Sequence, residues 1–155
     1  MHTPHRISIQ TADFDVSAEI AALRLGDART GAVCGFVGAV RASQPGDAVG
    51  APPVHALELE HYPGMTERAI EAMVLDAEQR FGILAACVIH RVGMLRPGEQ
   101  IVLVAVSAAH RAASFAACEF LMDYLKTQAP FWKKEFTAHG AQWVDARESD
   151  DAALA

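Results

Sequence analysis

The sequence predicts an α+β protein built on a largely antiparallel or mixed sheet. Two observations carry this. Segments with strand and helix patterning intermix along the chain without a strict strand–helix–strand rhythm, which argues against a doubly wound parallel sheet. Two near-continuous apolar stretches, 84–92 and 100–109, run into a segment, 111–128, that is apolar nearly all round. That pattern predicts strands buried on both faces and a helix lying deep against them.

Taken in order, residues 6–10 alternate like a short strand, and Asp13 or Asp15 can cap a helix running through Glu19 to about Leu25. Residues 30–40, rich in Val, Phe and Gly, read as a strand whose glycines allow a bulge or close packing. Residues 43–53 hold Pro45, Gly46, Gly50, Pro52 and Pro53 and are expected to form a mobile loop. Strand character resumes over 54–62, with Leu57 and Leu59 on one face and Glu58 and Glu60 on the other. Pro63 and Gly64 break it, and Thr66 is a plausible cap for a helix to about Phe81, striped by Ile70, Met73, Val74 and Ala77.

The strands over 84–92 and 100–109 are joined through Arg96-Pro97-Gly98-Glu99, a strong turn signal. Pro130 ends the helix that follows. Residues 131–137 and 141–146 then predict a hairpin across His139 and Gly140. One domain over 1–150 is expected, with a frayed tail at 151–155.

Composition narrows the function. With 52% apolar and 21% charged residues the chain is globular rather than disordered. No apolar run reaches the roughly 18 residues of a membrane span, and the first residues lack the apolar core of a secretory signal, so a cytoplasmic protein is expected. A net charge of -6 argues against a nucleic-acid binder that relies on bulk electrostatics. Any anion must therefore be met by a local basic cluster.

Cys34, Cys87 and Cys118 are far apart, sit among small or apolar neighbours, and read as buried thiols. The histidines have no HxH or HExxH spacing, so neither a metal nor another cofactor is expected.

Three features could carry chemistry. In Lys126-Thr127-Gln128-Ala129-Pro130-Phe131-Trp132-Lys133-Lys134-Glu135, Lys126 falls in the last turn of a helix, where a cation suits the negative dipole end. Alternation past Pro130 puts Phe131, Lys133 and Glu135 on one side and Trp132, Lys134 and Phe136 on the other. A corner of this kind can bring Lys126 and Lys133 to one pocket mouth, where partial burial would lower a lysine pKa and suit proton transfer. The same pattern fits two solvated lysines, and spacing leaves both open. Second, His110 and Arg111 stand at a strand-to-helix junction, a natural anion site or a salt bridge with a capping histidine. Third, Arg41 and Arg147 each close a strand; alone, neither says much.

Several blocks together resemble the molybdopterin synthase large (catalytic) subunit family. They are Leu59-Glu60-His61-Tyr62-Pro63-Gly64-Met65-Thr66, Val88-Ile89-His90-Arg91-Val92-Gly93, Leu95-Arg96-Pro97-Gly98-Glu99, Ser107-Ala108-Ala109-His110-Arg111, the lysine block with Met122-Asp123-Tyr124-Leu125 before it, and Trp143-Val144-Asp145-Ala146-Arg147. They occur in order from about Arg6 to Asp150.

The resemblance implies an α/β-hammerhead fold with an additional small antiparallel sheet. It implies a homodimer, and a heterotetramer with two small ubiquitin-like sulfur-carrier subunits whose C-terminal Gly-Gly thiocarboxylates enter the large subunits. Cyclic pyranopterin monophosphate (precursor Z) would be converted to molybdopterin by insertion of two dithiolene sulfurs. The family's pocket lysines fall on Lys126 and Lys133. Its substrate-binding residues fall on Arg41, His110, Arg111 and Arg147, with Phe36, Met122, Lys134 and Glu135 nearby. The 43–53 loop looks longer and richer in Pro and Gly than the family pattern, which bears on the placing of Arg41. Two other classes stay open: a non-catalytic scaffold of the same fold that binds the sulfur carrier, and a cysteine-persulfide sulfurtransferase.

Overall fold

A computed structural model describes residues 5–144. It contains β1 (Arg6–Gln10), α1 (Val16–Leu25), β2 (Ala32–Ala39), β3 (Ala56–His61), α2 (Met65–Phe81), β4 (Ala85–Arg91), β5 (Gly93–Leu95), β6 (Gln100–Ala108), α3 (Arg111–Thr127), β7 (Phe131–Thr137) and β8 (Gly140–Val144). The strands form two four-stranded sheets, ordered β1-β4-β6-β2 and β5-β3-β7-β8. Only β1 runs parallel to its neighbour, Arg6 opposite Cys87; the other pairs are antiparallel. The α+β class and the additional antiparallel sheet are both observed.

Alternation explains why β4 and β6 are apolar throughout. Ala86, Val88, Val102, Val104 and Val106 face α2 and α3 and pack with Ile70, Val74, Leu121 and Leu125. Ala85, Cys87, Ile89, Leu103 and Ala105 face the opposite way, onto Leu23 and the partly buried Phe14, Val16 and Ile20 at α1. Each strand is thus covered by helix on both sides, and no polar face is left to show in the sequence. The glycines of β2 do serve packing. A Cβ at Gly35 would stand 3.2 Å from Ile20 Cδ1, and one at Gly38 would stand 2.8 Å from Val102 Cγ1. The register of β2 against β6 shifts between Gly38 and Ala39, at the expected bulge.

Two local expectations are corrected. Thr66 lies inside α2, fully buried, its hydroxyl donating to the Tyr62 carbonyl at 2.8 Å. Gly64 is the N-cap, and the Glu67 carboxylate accepts its N–H, closing the first turn from within the helix. The chain between 92 and 100 is more than a turn. After Val92 it enters the second sheet as β5, pairing Leu57 with Leu95, before Arg96 to Glu99 return it to the first. Leu95 is fully buried there with Val40, Leu57 and Leu59, in a small core that joins the two sheets.

Arg91 secures this crossing. Its Nε donates to the Thr11 carbonyl at 3.1 Å and its Nη1 to the Gln100 carbonyl at 3.0 Å, with Glu99 at 3.4 Å and Asp13 at 3.8 Å. Only 8% of the Arg91 side chain is exposed. Arg91→Ala would strip charged donors from two carbonyls, and a loss of about 2–3 kcal/mol is expected, measured by urea unfolding. Stability within about 0.5 kcal/mol of the parent would mean that the network adds nothing.

Candidate functional site

Pro130 stops α3 and turns the chain into β7, and this corner opens on a cleft of about 1450 Å³. One wall is β2 with Val40 and Arg41; another is β3 with β7 and the start of β8; part of the 43–53 segment forms the rim. That segment is irregular, closed by Asp47 N–H to the Gln44 carbonyl, Ala51 N–H to the Ala48 carbonyl, and Val54 N–H to the Ala42 carbonyl.

Lys126, Lys133, Arg41, Phe36 and Glu135 all line this one cleft. The predicted alternation along β7 explains the placing of its charged residues, while Trp132 on the other face reaches only the lip. Phe131, Lys133 and Glu135 face inward, whereas Lys134 turns to the other face, its Nζ 5.5 Å from the Phe136 ring centre and 5.4 Å from that of Trp143. Met122 is also outside the cleft, packed in the core between the first sheet and its helices. His110 and Arg111 are exposed at the opposite end of α3. At 1.5 Å per residue, Arg111 lies about 22 Å along the axis from Lys126. His110 is the N-cap of α3 but makes no capping hydrogen bond through its side chain, and no acidic residue stands in the first turn. Arg147 lies outside the described residues.

Behind Lys126 stands a residue that sequence reasoning passed over. His90 is the one polar residue in the run from Ala85 to His90, and alternation along β4 turns it toward α3. It is 8% exposed. Its ring stacks on Phe131 with centroids 3.8 Å apart and planes 16° from parallel. Nδ1 is 2.8 Å from the Arg91 carbonyl, which can only accept, so Nδ1 carries the proton and Nε2 a lone pair. Burial pushes the His90 pKa down to about 4; the Arg91 carbonyl opposes this, and the nearby Lys126 charge adds to it. The available signal was a histidine in a strand with no solvent-facing side.

His61 approaches the other end of the Phe131 ring, centroids 6.3 Å apart, and its Nδ1 is 3.3 Å from Thr66 Oγ1. Tyr62 meets Trp132 edge to face at 4.6 Å, so the outer lip of the cleft is aromatic and exposed.

The cysteines hold no comparable position. Burial, then the neighbouring Glu19 carboxylate, pushes the Cys87 thiol up to about 12; burial and the adjacent Cys34 do the same to Cys118. A thiol held in that range is a poor nucleophile near neutral pH. Among the described residues no group of His, Cys, Asp and Glu could hold a metal ion, and no helix is long and apolar enough to cross a membrane.

Comparison with known proteins gives consistent results. The MoaE protein family matches residues 9–128. The molybdopterin synthase catalytic subunit of Ralstonia nicotianae is 59% identical over 149 residues, covering 96% of this chain and 82% of that protein. Among solved structures, the molybdopterin biosynthesis MoaE protein from Burkholderia ambifaria is 53% identical with a TM-score of 0.79, covering 97% of this chain and 95% of that one. A complex of subunits 1 and 2 of the molybdopterin-converting factor from Helicobacter pylori shares the fold at 20% identity and a TM-score of 0.68, covering 94% of this chain and 92% of that one.

Proposed function

The chain belongs to the MoaE family of molybdopterin synthase catalytic subunits, and we propose that its α3–β7 cleft is where sulfur passes from a carrier tail to a pterin. The enzyme is a sulfurtransferase of molybdenum cofactor biosynthesis, and a small subunit is its partner. The finer reading is that the partner's C-terminal thiocarboxylate enters beside Lys126 and Lys133. There two sulfurs convert cyclic pyranopterin monophosphate to the dithiolene of molybdopterin. Such a reaction fits the cytoplasm.

The convergence of Lys126 and Lys133 in one cleft, with Arg41 at its edge, carries this reading. Both substrates are anionic, and the chain's net charge of -6 would repel them; a local cationic cleft answers both. Lys126, at the end of α3, takes the proton-transfer or covalent role nearest the sulfur-receiving carbon. Lys133 stabilises charge that develops in the transition state. Glu135 and Phe36 shape the same cleft, while Met122 and Lys134 support it from outside. With the Cys87 and Cys118 thiols buried and held protonated, the reading has sulfur arrive on the partner rather than through a persulfide at either of them.

His110 and Arg111 are too far along α3 to serve the Lys126 of their own protomer, so the reading assigns them to the cleft of a second copy in a homodimer. There they would hold the phosphate, with Arg147 as a further basic group. Two small subunits would complete a heterotetramer.

A single-turnover assay with thiocarboxylated small subunit and cyclic pyranopterin monophosphate tests the whole reading. Wild-type protein should form dithiolene, and carrier lacking the thiocarboxylate should give none. A scaffold would give none with either. Mixing Lys126→Ala with Arg111→Ala protomers tests the shared site. With random pairing about a quarter of the sites regain both residues, whereas no recovery would place both groups in one protomer.

A further inference from the structure

We propose that His90 is a positioning residue for the sulfur transfer: clamped between the Arg91 carbonyl and the Phe131 face, its ring offers Nε2 to the Lys126 ammonium and holds it at the mouth of the cleft. The proposal rests on the assignment of Lys126 to the reaction.

Three observations support it. His90 and Lys126 line the same cleft, and the Lys126 charge reaches the ring. The orientation of the ring is fixed twice, by the hydrogen bond from Nδ1 to the Arg91 carbonyl and by the parallel stack on Phe131. A carbonyl partner selects the tautomer, so the nitrogen left for another group is an acceptor, the kind that an ammonium needs. A lysine has four rotatable bonds in its side chain, and an exposed one samples many rotamers. A fixed acceptor beside it narrows those to the few that reach the reacting carbon, a contribution to orientation rather than to binding.

The position also accounts for the polar group itself. An imidazole on a strand covered by helix costs stability unless its polar atoms are answered. Phenylalanine or leucine would fill the same space with no such requirement. The Arg91 carbonyl answers one nitrogen, and on this proposal Lys126 answers the other.

The test uses the complex of both subunits. In the ¹⁵N spectrum of the wild type at pH 7, the His90 Nε2 signal should be that of an unprotonated acceptor. Lys126→Met should shift it while Nδ1 stays put; an unmoved Nε2 overturns the proposal without touching the function of the site. His90→Phe keeps the stack and loses the acceptor. It should slow single-turnover dithiolene formation about tenfold with KM and small-subunit affinity unchanged. His90→Gln, which can donate to the Arg91 carbonyl and accept from Lys126, should regain most of the rate. If His90→Phe turns over like wild type, or if both variants lose rate only in proportion to lost folded protein, His90 is structural and the proposal fails. Full turnover by Lys126→Ala would instead overturn the reading of the cleft on which it rests.

Discussion

Lys126→Ala is expected to lower dithiolene formation at least about 100-fold while the small subunit still binds. The size follows from where the side chain stands. Lys126 is in the last turn of α3, where the free carbonyls of the helix end favour a cation. It projects into the cleft that also holds Lys133 and Arg41. Removing a group that moves a proton or forms a bond in the transition state costs far more than removing one that only attracts substrate. Binding of the carrier should survive, because protein interfaces take most of their affinity from a few buried anchors rather than from one cleft lysine. Lys126→Arg separates the chemical role from the electrostatic one. Arginine keeps the charge but neither gives up its proton nor attacks a carbonyl near neutral pH. An arginine variant with near-wild-type turnover would reduce Lys126 to a counterion.

The second large effect is on stability. His90 has a pKa of about 4 in the folded protein and one near 6.5 when unfolded. Between these values the unfolded chain binds the proton and the folded chain does not, so stability falls as pH drops from 6.5 toward 4. Over the whole window the loss is about 3 kcal/mol, and about 2 kcal/mol is already gone at pH 5. Urea unfolding at pH 7 and pH 5 would measure it, with His90→Phe as the control that lacks this component. If the wild type and the variant lose stability equally between the two pH values, the ring is not held neutral by its surroundings. Asp13 and Asp27 act in a lower window. Their carboxyl pKa values are depressed chiefly by side-chain hydrogen bonds from Gln100 and Arg29, so they gain protons below the range in which His90 titrates.

Much of the fold was legible because periodicity and burial agreed. The strands β4 and β6 show as unbroken apolar runs since each has helices on both faces. Asp15 caps α1 as expected, its carboxylate accepting the Ala18 N–H at 3.1 Å. The start of α2 was misplaced because Thr66 has the chemistry of a cap, yet its hydroxyl is satisfied by the preceding turn and Glu67 supplies the closure. The short β5 was invisible for another reason. Three residues carry too little pattern to reveal a change of sheet, and what holds them is the distant Leu57 and Leu59.

Strand alternation, which depends on the backbone alone, predicted the cleft side of β7 for Lys133 and Glu135 and the other side for Lys134, although Trp132 on that other side also reaches the cleft. Local sequence could not sort Met122 from Lys126, four residues apart on one helix. Which of them meets the core and which the cleft depends on where α3 overhangs the sheet. The separation of His110 and Arg111 from Lys126 was readable from helix length, but only once both were known to lie in the same unbroken helix.

The pairing of the strands also sets an order of events in synthesis. Arg6 waits for Cys87, Ala32 for Ala108, and Ala56 for Phe136, so each of the first three strands meets its main partner roughly sixty to eighty residues later. A nascent chain that has just completed α2 therefore holds three strands and not one finished ladder. Such non-local pairing is slow to form and leaves apolar edges open while it does. The cleft comes last of all, because Lys126 and Lys133 belong to the final third of the chain and β7 must add to a sheet that is already waiting. Truncated chains released before that point would lack the cleft and leave apolar strand edges unpaired, and so would be inert and aggregation-prone.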